Sequence, residues 1–354
     1  LKEREEFTFS PVNFGVVLHA VIREVCDEIK KNGESYYLIS EEKRREMVKR
    51  SVSAITDIYQ NSILKDSSRN SFMIKRMEDL ADRTIWAMGE QLKCGDFVPF
   101  VFEHKFNMEV GDGDRKQLMS GTIDRVDICE NGTDVYVRII DYKTGKKDFN
   151  IVKTYYGIDI QLMVYMEAAM KLVAKMRPGK NVIPAGVFYY NISDPIVSAT
   201  TESAEEIEDK IKGELRLKGM VNSDKDIAEK MDNTEGTSLN IPVSRKADGG
   251  FDSRRSKVMN TEQFNMLGRF VDVRAIDTAD RIAGGDIRRS PYKDGQFSSC
   301  DRCPYGAVCG FSVDLPGCNY RKLKKFDDEV LWNNIKEGVD ENGKKMDTGA
   351  EERD

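Results

Sequence analysis

Apolar residues recur at helical spacing through the N-terminal part of the chain. Ser10-Pro11 has the form of an N-cap followed by proline at the first helical position, so we predict a helix from there to about Lys31. Similar patterns predict helices over residues 41–64 and 70–93. The inward stripe of the first helix consists of Phe14, Leu18, Val21, Ile22, Val25 and Ile29.

The pattern changes to the two-residue period of β-strands near residue 98. Strands are predicted over residues 99–110 and 118–129, with a turn at 111–114 between them. The later predicted elements are a helix over 156–175, a strand over 183–192, a helix over 202–217, a short strand over 239–243 and a helix over 261–283. The pattern therefore divides the chain into an N-terminal helical part (1–97), a core (98–218), a polar, loop-rich insertion that is the least ordered by composition (219–260), a C-terminal helix with a cysteine segment (261–323) and a charged, partly disordered tail (324–354).

Asn131-Gly132 is the strongest short-range hairpin signal that a sequence offers. With these two as the loop residues, Asp124 falls opposite Ile139. Side chains alternate between the faces of a strand, so one face of the hairpin is apolar and ends in charged residues. That face carries Val126, Ile128, Val135, Val137 and Ile139, then Asp124, Asp141 and Lys143. The other face looks largely polar and carries Arg125, Asp127, Tyr136 and Arg138.

Two carboxylates and an ammonium group therefore lie at the end of a core face. Asp124 and Asp141 are diagonal neighbours in this register, about 7–8 Å apart at Cα. Like charges placed in this way are costly unless a cation or hydrogen bonds compensate them. A divalent metal ion between the carboxylates would do so, with Lys143 beside it to hold a water molecule or a phosphate oxygen. The alternative is an ordinary salt-bridged strand end.

Four other polar residues are candidates for the same site. His19 lies beside the apolar stripe of the first helix, where a structural histidine is the alternative to a ligand. Glu103 shares a face with Asp124 if the preceding strands pair in register, and a one-residue slip would reverse that assignment. Gln161 and Tyr165 lie one turn apart on a predicted helix, where packing of two amphipathic residues is the alternative.

The chain has 354 residues and a formal net charge of -6, so it can bury a large core in one or two domains. The acidic excess gives no support to nucleic-acid binding through the whole-chain field, and any DNA contact must be local or shared with a partner. No run of about 18 apolar residues and no signal peptide occur, so we expect a soluble, cytoplasmic protein with no membrane partner. Because the first residue is Leu1, we expect a fragment of a longer polypeptide.

Four of the seven cysteines crowd into one short stretch, as Cys300, Cys303, Cys309 and Cys318. In a cytosolic chain such spacing indicates metal or cluster ligation rather than disulfides. Three thiolates satisfy neither zinc nor an iron–sulfur cluster, so a fourth ligand is needed. It is either Cys318 or a cysteine upstream of Leu1, and the spacing does not separate zinc from iron–sulfur.

Several short motifs occur in a fixed order along the chain. They are GxxxH (Gly15 to His19), a strand with Glu103, GxIDRxD (Gly121 to Asp127), IIDYKTG (Ile139 to Gly145), QxxxY (Gln161 to Tyr165) and CxxC-x5-C (Cys300 to Cys309). This series resembles the RecB-like branch of the PD-(D/E)XK nucleases, and most closely the C-terminal nuclease domain of the AddB-type subunit of bacterial AddAB helicase–nucleases. The resemblance extends from residue 7 to about residue 323. It implies an α/β (α+β) fold with a restriction-endonuclease-like core, a central mixed sheet flanked by helices, an N-terminal helical part and a C-terminal iron–sulfur-type segment.

The resemblance also implies a metal site. By it, His19, Asp124 and Asp141 would ligate the catalytic Mg²⁺, helped by the backbone carbonyl of Tyr142. Mn²⁺ or Ca²⁺ could substitute for Mg²⁺. The implied reaction is attack of a metal-activated hydroxide on a phosphodiester.

Catalytic roles follow from the same resemblance. Lys143 would position and polarise the attacking water, and Glu103 would complete the acidic site. Gln161 and Tyr165 would help to orient Lys143 or the DNA strand.

The family further implies a [4Fe–4S] cluster, with Cys300, Cys303 and Cys309 as three of its ligands. The fourth family ligand precedes the first helix and is missing from this chain. Either the cluster is incomplete or absent here, which we favour, or Cys318 substitutes.

Three functional hypotheses result. The first is a Mg²⁺-dependent deoxyribonuclease, an exonuclease acting on linear DNA with a single strand in its active site, as part of a larger helicase–nuclease with an AddA-type helicase subunit in double-strand-break repair. The second is a non-catalytic DNA-binding module stabilised by a metal or cluster. The third is a stand-alone exonuclease like the CRISPR-associated RecB-like enzymes.

Overall fold

A computed structural model of the chain describes residues 11–58, 68–111, 116–198 and 202–351. The helices of these residues are α1 (Pro11–Lys31), α2 (Glu41–Ile58), α3 (Ser68–Lys93), α4 (Ile151–Tyr155), α5 (Gln161–Met176), α6 (Ala204–Glu214), α7 (Lys225–Met231), α8 (Thr261–Ala283), α9 (Gly306–Cys309) and α10 (Asp328–Glu351). The strands are β1 (Val98–Val110), β2 (Gln117–Asn131), β3 (Asp134–Lys143), β4 (Asn181–Asn191), β5 (Lys218–Asn222), β6 (Val258–Met259), β7 (Tyr292–Asp294), β8 (Phe297–Ser298) and β9 (Arg321–Lys322). In the described residues, no helix is long and apolar enough to cross a membrane.

A six-stranded sheet runs in the order β1-β2-β3-β4-β5-β6. β2 and β3 are antiparallel, β3 and β4 parallel, β4 and β5 antiparallel, and β5 and β6 parallel. The predicted mixed sheet flanked by helices is thereby confirmed. The parallel connection from β3 to β4 contains α4 and α5, as parallel pairs require a long crossover.

The helices largely follow the predicted pattern. All six residues of the predicted α1 stripe are buried, while Ser10 and the end of the predicted helix 41–64 lie outside the described residues. The predicted helix 156–175 corresponds to α5, which begins five residues later, at Gln161; the separate helix α4, capped by Asn150, precedes it, and Gly157, with φ +72°, interrupts the helical path between the two. α6 begins at a capping box in which Ser203 and Glu206 each bond the other's backbone.

The hairpin register differs from the prediction by two residues. Asn131 pairs with Asp134, so the loop residues are Gly132 and Thr133 rather than Asn131 and Gly132. Only Gly132 of these has a positive φ, +59°, which fits a II′ turn with glycine first rather than a I′ turn with two such residues. Val126 therefore lies opposite Ile139, and the predicted pairing of Asp124 with Ile139 is wrong. A shift of two leaves every side chain on its predicted face.

The hairpin face that looked polar is in fact buried. Arg125, Asp127 and Arg138 are each at most 1% exposed. Arg125 Nε and Nη2 donate to the two carboxylate oxygens of Asp127, both at 2.7 Å, and Arg138 Nε donates to Asp127 Oδ2 at 2.8 Å. The Asp127 carboxylate, shared by both guanidinium groups, offsets part of the cost of burying this face among the apolar residues Cys129, Tyr136, Ile140 and Tyr142 of the main core.

The segment over 219–260 is packed rather than loosely ordered. It extends the sheet through β5 and β6 and buries Ile241 and Val243 in the main core. The predicted short strand at 239–243 is wrong, since no strand forms there in the described structure. Gly219 is required because a Cβ at this position would collide with the carbonyl oxygen of Val187 on β4. The composition of the segment did not indicate this packing, because only a few apolar residues form the buried contacts.

The chain divides into two compact units. One comprises Leu1–Asn107, Ser120–Phe149 and Tyr165–Phe264 and contains most of the six-stranded sheet; the other comprises Met108–Met119, Asn150–Val164 and Asn265–Asp354. The predicted division into five parts stays a prediction.

The second unit contains most of α8, whose predicted bounds are confirmed, and a small sheet of order β8-β7-β9. The predicted disorder of the tail is wrong from Asp328, where α10 begins. Leu331 and Ile335, one turn apart, are buried. A Cβ at Gly338 would approach the Phe270 ring to 2.7 Å, so the helix backbone packs closely there.

Candidate active site

Three of the predicted site residues converge within the first unit. His19 on α1 places Nδ1 3.4 Å from Glu103 Oε1 on β1 and 3.5 Å from Asp124 Oδ1 on β2. The ligand atoms of all three residues lie within 4.8 Å of one another. Across the described ranges, this is the only group of three or more histidine, cysteine and acidic side chains with that spacing. The structure thus places a histidine from a distant helix beside acids of the sheet.

The end of β3 adds the remaining charged pair. Continuing the observed register brings Asp141 opposite Asp124 rather than diagonal to it. The Tyr142 backbone N–H donates to Asp124 Oδ2 at 2.7 Å, and Lys143 Nζ lies 2.6 Å from Asp141 Oδ2. Asp124, Asp141 and Lys143 therefore share one side of the ribbon. The carboxylates of Asp124 and Asp141 are each held by a neighbour.

The donor set suits a divalent cation. One imidazole nitrogen and carboxylate oxygens are ligands that Mg²⁺ or Mn²⁺ accepts, and the acids are close enough to share one ion. Glu103 belongs to the tightest group together with His19 and Asp124, which gives it a more central place than the sequence indicated. Asp141 lies beside that group and engages Lys143.

The protonation of His19 and Asp141 reflects this crowding. Burial opposes the charged imidazolium of His19, but hydrogen bonds and the charges of Asp124 and Glu103 outweigh it and raise its pKa to about 10. Burial, followed by repulsion from Asp124, raises the pKa of Asp141 to about 6, against the opposing effect of Lys143. Negative potential thus accumulates at the position that a cation would occupy.

Glu103 has an unusual backbone conformation. Its φ is +47°, and among the described residues it is the only one other than glycine with a positive φ. Left-handed conformation is costly for a residue with a Cβ and is typically found where function requires it. Here it occurs inside β1, at the residue whose carboxylate meets His19.

Tyr142 contributes a contact that sequence reasoning missed. Its buried ring packs edge-on against the imidazole of His19, with centroids 5.9 Å apart, and against Tyr190 at 5.8 Å. The Tyr142 ring, itself packed against Tyr190, therefore restricts the orientation of His19. The predicted use of the Tyr142 carbonyl as a metal ligand stays a prediction. The IIDYKTG motif includes Tyr142, but the motif alone does not show whether the ring or the backbone of Tyr142 contributes to the site.

The remaining motif residues have clear positions. Tyr165 on α5 packs edge-on against Phe106 of β1, with centroids 5.7 Å apart. A Cβ at Gly121 would lie 3.0 Å from the Phe106 ring and 3.2 Å from the Tyr165 ring, so the glycine of GxIDRxD leaves room for both. Gln161 is the half-buried first residue of α5. Their predicted catalytic roles stay predictions.

The cysteine stretch lies in the second unit, with all four thiols outside disulfides. Cys303 is exposed and the other three are half-buried. The Cys303 N–H donates to the Cys300 carbonyl, as in a tight turn, and Cys309 ends α9. In the described residues no three of their sulfur atoms lie within 4.8 Å of one another. A [4Fe–4S] cluster binds each thiolate to a different iron atom and holds them farther apart.

Comparison with known proteins identifies the class to which this fold and site belong. The model of the PD-(D/E)XK nuclease superfamily matches residues 1–310. The chain belongs to this superfamily, which confirms the resemblance inferred from its motifs.

Individual relatives narrow the comparison. The chain is 32% identical over 357 residues to the B subunit of the ATP-dependent helicase/deoxyribonuclease of Thermoanaerobacter sp. (strain X514), covering 98% of this chain and 31% of that protein. The B subunits of the same enzyme from Caldanaerobacter subterraneus subsp. tengcongensis and Lachnoclostridium phytofermentans are each 34% identical, over 100% and 99% of this chain and 31% of their own lengths. The chain therefore spans less than a third of the length of these relatives.

Proposed function

We propose that this chain is a metal-dependent nuclease domain that hydrolyses phosphodiester bonds of DNA. The observation that carries the proposal is the convergence of His19, Glu103 and Asp124 within 4.8 Å, with the Asp141–Lys143 pair beside them. His19, Glu103, Asp124 and Asp141 are the residues that would hold the ion. A bound Mg²⁺ would supply charge neutralisation for the phosphate and lower the pKa of a water molecule.

The protein groups have separate tasks in this mechanism. Asp124 is fixed by the Tyr142 N–H, and His19 by the Tyr142 ring, so the ligands are held before substrate binds. Lys143 donates to Asp141 and is placed to donate a second hydrogen bond to the attacking water or a phosphate oxygen. Its positive charge also stabilises the negative charge that develops on the phosphate.

The relatives' printed names support a finer proposal about the biological setting. In each relative the matching segment belongs to the B subunit of an ATP-dependent helicase/deoxyribonuclease. We infer that this domain digests linear DNA exonucleolytically with Mg²⁺, at broken ends presented by an AddA-type helicase subunit. DNA must then be guided to a chain of net charge -6 through local basic surface.

Removing the amine of Lys143 tests the mechanism. Lys143→Ala should reduce Mg²⁺-dependent cleavage of end-labelled linear single-stranded DNA by about 10²–10⁴-fold, because the variant loses the group that positions the water. Lys175→Ala, at an exposed lysine of α5, is the matched control and should cleave like the wild type. Equal cleavage by the two variants contradicts the proposed role.

The same cleavage assay distinguishes a nuclease from a non-catalytic DNA-binding module. The gathering of three acids with a lysine disfavours that alternative, because binding alone does not require acids at this density. DNA affinity in the wild type without any metal-dependent turnover would support it and contradict nuclease activity.

We also propose that Cys300, Cys303 and Cys309 ligate a [4Fe–4S] cluster with Cys318 as the fourth ligand, which is the second of the two alternatives given by the sequence and not the one favoured there. Support comes from the CxxC turn and the unlinked thiols. Anaerobic reconstitution followed by iron and sulfide analysis tests it. About four irons per chain in the wild type and a loss in Cys303→Ser are expected. Stoichiometric zinc would contradict the cluster.

A further inference from the structure

A cleft of about 740 Å³, lined by many charged side chains, opens in the first unit beside the segment that follows β3. Its walls come from residues 144–148, from the end of β4, from the start of β5 and from the loop before β6. We call it the basic cleft, because its lining includes Lys146, Lys147, Arg216, Lys218, Arg255 and Lys257.

The charge of the basic cleft is opposite to that of the whole chain. Two carboxylates, Asp148 and Glu214, face the six cations of its lining, whereas the chain carries a net charge of -6. Lys257 is engaged by Asp148 at 2.6 Å. The cleft therefore keeps an excess of positive charge after its internal ion pair is counted.

Two of the cations are held in place by the fold. Arg216 donates from Nε to the Ile241 carbonyl at 2.6 Å and from Nη2 to the Val243 carbonyl at 3.2 Å, so neutral oxygens fix it without cancelling its charge. Lys218 is half-buried on β5, and burial followed by repulsion from Arg216 and Lys257 lowers its pKa. A bound anion would relieve this repulsion.

The basic cleft begins directly after β3, the strand that carries Asp141 and Lys143. Lys143 Nζ and Lys147 Nζ lie 5.6 Å and 5.4 Å from the centroid of the same Tyr189 ring. The intervening loop is fixed to the end of β4, because the Lys147 N–H donates to Asn191 Oδ1 and Asn191 Nδ2 donates back to the Lys147 carbonyl. A nucleic-acid strand that contacts Lys143 can therefore extend to Lys147 along a loop that these hydrogen bonds hold in place.

The lining indicates which part of a nucleic acid fits. None of the described residues that line the cleft is aromatic, so it offers no aromatic surface on which bases would stack. Ammonium and guanidinium groups bind phosphate oxygens regardless of base identity. The chemistry is that of a phosphodiester backbone, read without sequence preference.

Resting on the nuclease activity proposed above, we propose that the basic cleft binds the backbone phosphates of the DNA strand next to the nucleotide at Lys143. The cleft thereby supplies a local positive surface on a chain whose net charge is -6. Binding there holds the strand so that its scissile phosphate stays at the site.

Binding measurements test the proposal independently of catalysis. A fluorescent single-stranded oligonucleotide is titrated in EDTA at several salt concentrations, which prevents metal-dependent cleavage. The double variant Lys218→Ala/Arg255→Ala should bind about 10-fold more weakly, and its log K against log[salt] slope should be shallower by about 1.4, or about 0.7 for each lost phosphate contact. Lys225→Ala/Arg254→Ala removes two exposed cations outside the lining and is the matched control.

Two results would overturn the proposal. One is unchanged affinity and salt slope in the cleft variant, and the other is an equal loss in the control. Thermal unfolding checks that the variants fold, and Arg255→Ala alone, at an exposed position, replaces the double variant if Lys218→Ala does not fold.

Cleavage kinetics separate this proposal from the nuclease assignment. On a long strand the cleft variant should raise KM about 10-fold with kcat nearly unchanged, because uniform binding is lost. On a dinucleotide, which is too short to reach the cleft, kcat/KM should equal that of the wild type. If the wild type cleaves no DNA, the proposed nuclease function is wrong. The titration in EDTA still shows whether the basic cleft binds DNA.

Discussion

His19 lies between two acids that would otherwise repel each other. Its imidazole is within 3.5 Å of both Glu103 and Asp124, and its ring rests on Tyr142. A proton on His19 and a divalent ion are thus alternative ways to neutralise the same carboxylates. Binding of the ion must displace the proton.

Metal affinity should therefore depend on pH. The pKa of His19 is raised to about 10, so near neutral pH the ring is protonated and must release its proton to ligate an ion. We expect affinity for Mg²⁺ to increase about 10-fold from about pH 7 to about pH 8, and to decrease further below the raised pKa of Asp141, about 6. Calorimetry in buffers of different ionisation enthalpy should detect about one proton released per ion. In His19→Gln the pH dependence of Mg²⁺ affinity around neutral pH should disappear. A dependence equal to that of the wild type would contradict the assignment of His19 as a metal ligand.

The backbone of Glu103 allows a second test at this scale. At a left-handed residue, Glu103→Gly should be more stable than Glu103→Ala by about 1 kcal/mol, because only glycine avoids the steric cost. This order is the reverse of that inside an ordinary strand. Both variants should lose metal affinity, since both lack the carboxylate. Urea unfolding measures the difference, and a more stable Ala variant would show that the strain is absent.

At the scale of the element, the β2–β3 ribbon explains why the site could be predicted from sequence. The hairpin signal located the turn to within one residue, which shifts the pairing register by two, and an even shift of register preserves the faces. Asp124, Asp141 and Lys143 were therefore placed correctly on one side. The alternation rule could not reveal that both faces are buried, because it classifies Arg125 and Asp127 by polarity and cannot foresee their mutual compensation. Nor could it anticipate the left-handed Glu103, which breaks the regular alternation of β1.

The buried ion network in this ribbon should be essential for stability. Asp127→Ala would leave Arg125 and Arg138 charged, buried and without their carboxylate, so we expect a loss of about 3–5 kcal/mol in the free energy of unfolding. Glu235→Ala, at an exposed acid, is the control and should change stability by less than about 0.5 kcal/mol. Chemical denaturation measures both. A loss in Asp127→Ala as small as the control's would mean that the network contributes little.

At the scale of the whole molecule, composition was a poor guide to order. The polar segment over 219–260 completes the sheet, and the charged tail forms α10, because a few well-placed residues such as Ile241, Val243 and Leu331 are buried. Net charge was equally incomplete: a chain of charge -6 still gathers six cations in one cleft. Summed quantities conceal such local arrangements, whereas the order of motifs along the chain identified the superfamily.

The position of a bound ion tests the central claim most directly. In crystals soaked with Mn²⁺, the account predicts one anomalous peak about 2.0–2.6 Å from an imidazole nitrogen of His19 and from carboxylate oxygens of Asp124 and its acidic neighbours. An ion bound elsewhere, or a fully occupied site in which His19 and Asp124 take no part, would contradict it.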